Sequence, residues 1–155
     1  MAIRELAEAW ASLYANSVAL RSAVSVAHVG GLLTGGGAAI TTDLAILGLI
    51  GPDRRTSRET SRVHRVVVGS LVVVIASGLL LLLKDLDALI ESRAFWIKMA
   101  LFAALLVNGG LMLRVEARAS ASDAVVGTRL RAAALASLVL WLATTLAGAV
   151  VPNAL

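Results

Sequence analysis

The stretch AHVGGLLTGGGAAITTDLAILG, residues 27–48, decides how the chain must be read. It is apolar enough to enter a bilayer, yet it holds a histidine, an aspartate, three threonines and, between Gly30 and Gly37, five glycines. On a helix turning about 100° per residue, His28, Gly31, Gly35, Ala39, Thr42 and Asp43 fall close to one stripe. A helix with one small-and-polar face and an apolar back belongs inside a helical bundle, with lipid around the rest.

The composition around that stretch points the same way. Of 155 residues, 59% are apolar and only 15% are charged, with a mean hydropathy of +0.88. Soluble domains average roughly 45–50% apolar and about 25% charged. Alanine, leucine and valine dominate, which favours helices over the alternating pattern of a membrane β-barrel. The chain has no cysteine, so disulfides and thiolate metal sites are excluded. The fold class expected is therefore all-α: a four-helix transmembrane bundle with an N-terminal interfacial amphipathic helix, forming a single membrane domain over residues 1–155.

In chain order, Ile3, Leu6, Trp10 and Leu13 recur at helical spacing, which predicts an amphipathic helix over 3–15, with Trp10 and Tyr14 as interfacial anchors. The opening MAIRELAEAW mixes acids with bases and leads into no small-residue cleavage site, so a cleavable signal peptide is not expected. The first span is predicted over about 22–50 and ended by Gly51-Pro52. The second, about 63–83, has eighteen uninterrupted apolar or small residues from Val66. KDLDALIESR reads as an acidic loop, and the third and fourth spans are predicted over about 94–113 and 130–151. Arg54, Arg55, Arg58, Arg62, Arg65, Arg114, Arg118, Arg129 and Arg131, nine of the fourteen bases, flank the first–second and third–fourth connections. The positive-inside rule then places both connections in the cytoplasm and both termini outside. No basic patch interleaved with aromatics suggests a nucleic-acid partner. The partners expected are the bilayer itself and, through small-residue helix faces, further copies or other membrane subunits.

The polar residues inside the spans group by depth. His28 on the first span and Lys98 on the third share an outer level; Asp43 and Asn108 share an inner one, with Thr42 beside Asp43. Ionisable groups within spans cost about 2.5–3.5 kcal/mol on insertion scales and are functional candidates by default. His28 reads as a core histidine, an axial haem ligand, or a proton or substrate contact. Lys98 reads as a snorkelling side chain or an anion contact, and Asp43, Thr42 and Asn108 as a hydrogen-bonded packing layer. The only other histidine, His64, falls at the cytoplasmic mouth of the second span, so one chain cannot supply both axial ligands of a bis-histidine haem. Haem ligation would therefore be single, or completed by another subunit. No zinc or copper site is expected from two histidines without cysteine. No serine in a span has a histidine at helical spacing, so no nucleophile–base pair is legible.

With those residues stated, a family resemblance follows. H-x-x-G at 28–31, the glycine cluster, D-L-x-x-L-G at 43–48, S-G-L-L-L at 77–81, F-x-x-K at 95–98 and Asn108 resemble a group of small four-helix bacterial membrane proteins of unknown function. Those are similar in turn to copper-resistance-D membrane proteins and, more distantly, to the four-helix membrane protoporphyrinogen oxidase. The resemblance covers about residues 24–114. It implies functional roles for an intramembrane histidine and a lysine, carried here by His28 and Lys98. The function expected is a bacterial inner-membrane protein associated with redox or tetrapyrrole chemistry through that outer pair. The alternatives are a non-catalytic structural or assembly subunit, or transport of a small solute or protons along the His28-to-Asp43 stripe.

Overall fold

A computed structural model describes residues 2–51, 57–118 and 124–151. Among them the chain is all-α: α1 Ala2–Asn16, α2 Val18–Ile46, α3 Ser57–Lys84, α4 Leu86–Glu91, α5 Arg93–Arg118 and α6 Ala124–Val150, with no strand. Four of these helices are long and apolar enough to cross a membrane: Val18–Ile46, and the segments Arg62–Lys84, Arg93–Val115 and Gly127–Val150. Their surfaces carry large bare apolar side chains, Val26 at 70% exposure, Leu33 at 72%, Val107 at 62% and Leu146 at 68%, while Asp43, Ser77, Ser137 and Thr144 are buried. Polar groups inside and bulky hydrocarbon outside is the arrangement a lipid solvent selects. This is a helical membrane protein.

The chain divides into two compact units, Met1–Ala38 with Arg58–Glu91, and Ala39–Ser57 with Ser92–Leu155. In the first, α1 stops at Asn16 and α2 starts afresh, because the Ser17 side chain accepts from the Leu20 N–H at 3.2 Å and so caps the new helix. α1 rests on the far end of α3. The Trp10 indole N–H donates to the Leu80 carbonyl at 2.8 Å, the Lys84 ammonium stands 5.7 Å over the Tyr14 ring, and Arg4 pairs with Asp87 at 3.6 Å. Of the apolar stripe read in the sequence, Trp10 turns inward while Leu6 and Leu13 stay exposed, where an interfacial helix meets lipid. The seam between α2 and α3 is made by glycine. A Cβ at Gly35 would stand 2.7 Å from the Ser70 Cβ, and one at Gly31 would stand 2.8 Å from Val74 Cγ2 and 3.3 Å from the Ser70 carbonyl.

Two boundaries differ from the sequence reading. α2 ends at Ile46, ahead of the expected 50, because Gly48 adopts φ +74°. The Leu49 N–H then reaches back to the Leu44 carbonyl at 2.9 Å and the Gly48 N–H to Ala45 at 3.1 Å, a Schellman stop. Pro52, Arg54 and Arg55 lie outside the described residues, as does Pro152 beyond α6. The acidic loop is a helix, α4, because Leu86, Leu89 and Ile90 give one turn an apolar side, and Leu89 is buried. In the second unit α5 and α6 pack along each other, and Ser92 caps α5 through the Phe95 N–H at 3.5 Å.

Gly35→Ala is expected to lower the unfolding free energy by about 1–3 kcal/mol, because the clashing atom belongs to the stiff base of Ser70. Gly69→Ala, which meets nothing within 4 Å, is expected to be neutral or to gain up to about 1 kcal/mol from helix propensity. Thermal unfolding in detergent, followed by circular dichroism, compares the two.

Candidate functional site

The site read from the sequence divides between the units: His28 belongs to the first, and Lys98, Asn108, Asp43 and Thr42 to the second. Around His28 the chemistry is specific. The imidazole Nδ1 lies 3.0 Å from the Ser77 hydroxyl on α3. That hydroxyl has one proton, and it is given to the Val73 carbonyl at 2.6 Å, with Val74 O further off at 3.2 Å. Ser77 Oγ then accepts, so Nδ1 carries a proton, and in the neutral ring the lone pair falls on Nε2. Gly78, the next residue on α3, lets the ring lie flush: a Cβ there would stand 3.4 Å from His28 Cε1.

A histidine held by its Nδ1–H against a fixed acceptor is the arrangement that prepares Nε2 to bind a metal or take a proton. Beside this seam runs an open groove of about 370 Å³, lined by Val26, Ala27, Gly30, Gly31, Thr34, Gly69, Ser70 and Val73. It is apolar apart from two hydroxyls, and His28 is not part of its wall. His64 is exposed on the same α3, about 20 Å along the helix axis from Ser77 at 1.5 Å per residue. The two histidines of one chain therefore do not meet on one haem.

In the second unit Lys98 lies half-buried along α6. Its Cε and Nζ stand 3.6 and 3.7 Å from the position of a Cβ on Gly148. Asn108 donates from its amide to the Ala133 carbonyl at 3.0 Å, tying α5 to α6. Asp43 is 2% exposed near the end of α2, with Thr42 next to it and partly exposed. In the sequence Ser77 stands out only as the first residue of S-G-L-L-L at 77–81. A serine inside an apolar run is the available signal, shared with Ser70, but its histidine is 49 positions away and on another helix. No family model, curated protein or solved structure matches this chain.

Two substitutions test the contacts. Ser77→Ala removes the acceptor that fixes the tautomer. In ¹⁵N spectra of labelled histidine the wild type is expected to show a protonated Nδ1 and a lone pair on Nε2 for His28, and the variant a mixture of tautomers. Asn108→Leu is expected to cost about 0.6–1.7 kcal/mol, the worth of an interhelical hydrogen bond in lipid, read as a lower midpoint of unfolding in detergent.

Proposed function

We propose that this chain is a multi-pass protein of the bacterial cytoplasmic membrane that associates with a tetrapyrrole, to which His28 Nε2 is the single axial ligand that the chain contributes. The observation that carries the reading is the Ser77 relay: Nδ1 at 3.0 Å from a hydroxyl whose own proton goes to the Val73 carbonyl. A histidine that only fills a helix seam needs no fixed acceptor for its Nδ1–H, whereas a ligating histidine almost always has one. Bound there, a haem would supply one-electron redox chemistry. The protein's own part would be to hold the imidazole through Ser77 and so orient Nε2. The resemblance to small four-helix bacterial membrane proteins, resting on H-x-x-G at 28–31 and the motifs after it, agrees with a role for this histidine. The weight of arginine on the two connections supports an orientation with both termini outside.

A second reading is a non-catalytic subunit of a homo-oligomer or larger membrane complex. The open small-residue groove on α2 and α3 favours it, since Gly30 and Gly69 leave empty space that a further helix could fill.

The visible absorption spectrum of protein purified from membranes separates the two. The first reading expects a Soret band in the wild type that is lost in His28→Ala with helical content intact. A colourless wild type, with His28→Ala assembling normally, overturns it. A Gly30→Leu variant that lowers the oligomeric mass in detergent then identifies the subunit.

A further inference from the structure

Among the described residues, two polar groups on the seam between α5 and α6 have no bonding partner. Thr144 on α6 is 7% exposed, and its hydroxyl makes no hydrogen bond. The next residue shows what a threonine in a helix ordinarily does with that proton: Thr145, which is exposed, donates to the Trp141 carbonyl one turn back at 2.8 Å. Thr144 does not. The second group is the Lys98 ammonium on α5. It has neither an ion pair nor a hydrogen bond among the described residues, where the ion pairs are Arg4–Asp87 and Lys84–Asp85.

The packing of the two helices brings this pair to one stretch of the seam. Lys98 Cε and Nζ stand 3.6 and 3.7 Å from where a Cβ on Gly148 would be, so the lysine stem lies against α6 in space that a longer side chain at 148 would fill. Thr144 is four residues before Gly148 and therefore on the same face of α6, one turn along. Side chains so spaced start about 5–6 Å apart, which keeps the ammonium within about 10 Å of the Thr144 Cβ, on a flexible stem.

Both groups donate. An ammonium has three N–H donors and no acceptor, and a hydroxyl has one proton to give, so an acceptor with negative charge is what the pair lacks. One ammonium neutralises one charge. A carboxylate carries one charge and two oxygens, one for each donor, whereas a doubly charged phosphate would leave a charge unpaired where that is costly. The large exposed neighbours of the pair are apolar, Ile97 and Met99 on α5 and Leu146 and Val150 on α6, and these suit a hydrocarbon chain behind the carboxylate. We propose that the α5–α6 seam holds a carboxylate-binding site, formed by the Lys98 ammonium and the Thr144 hydroxyl, for an acid that carries an apolar chain. The site lies wholly in the second unit and does not depend on what His28 binds, so a colourless protein leaves it standing.

The test is the melting midpoint of the whole protein in neutral detergent at about pH 8.5, where carboxylic acids are ionised, titrated with dodecanoate, dodecanol or propionate. Dodecanoate is expected to raise the midpoint by about 2–4 °C more than the alcohol of equal chain length. K98M is expected to abolish that difference, while R93Q, at the exposed start of α5, keeps it. K98R keeps the charge and is expected to retain the preference, which covers a methionine variant that does not fold. T144V removes the hydroxyl at nearly constant shape. Without ligand its midpoint is expected to equal or exceed that of the wild type, because a buried unbonded group is gone, while its half-saturating dodecanoate concentration rises about tenfold. T145V is expected to leave that concentration unchanged. Equal shifts from acid and alcohol, or a preference that survives in K98M, overturn the proposal. T144V binding as tightly as the wild type overturns the role of Thr144, and an equal shift from propionate at the same concentration overturns the assignment to an acid with an apolar chain.

Discussion

Inside a hydrocarbon slab a hydrogen-bond donor has no water to turn to, and that constraint organises this molecule. With few polar side chains in its spans, the chain uses backbone carbonyls as acceptors. Trp10 donates to Leu80, Ser77 to Val73, Asn108 to Ala133 and Thr145 to Trp141, at 2.6–3.0 Å. Two of these bonds, from Trp10 and Asn108, join separate helices, so the same device that satisfies a polar atom also holds the fold. The ion pairs contribute little by comparison. Arg4–Asp87 is exposed on both sides, and such pairs are worth about 0–1 kcal/mol.

The second element of the design is the removal of side chains. Gly31 and Gly35 bring α2 against α3 so closely that a methyl group would overlap Ser70 or Val74. In lipid there is no hydrophobic penalty for separating two apolar helices, so close contact must supply the attraction through dispersion. Closeness also has a chemical consequence. Gly78 lets the His28 ring lie against α3, and only at that distance does Ser77 come within 3.0 Å of Nδ1. The packing of the first unit therefore sets what the His28 ring meets.

Much of the architecture is local and therefore legible. Spans follow from long apolar runs, and α1 follows from Ile3, Leu6, Trp10 and Leu13 repeating at helical spacing. Where the structure differs, the cause is also local. Gly48, with its positive φ and two returning amides, stops α2 before Pro52 could. Leu86, Leu89 and Ile90 make one apolar turn within a segment whose charges suggest a loop.

By itself, then, the sequence determined a four-span all-α membrane protein with ionisable residues in its spans, because burial in lipid is written directly in composition and run length. Only the tertiary structure decided what those residues touch. Ser77 gives no sign in the sequence of being the partner of His28, and Asn108 none of reaching Ala133, because the first pair is brought together by glycines on a seam and the second ends on a carbonyl. Every residue carries that acceptor, so no amino-acid letter can mark which one is used.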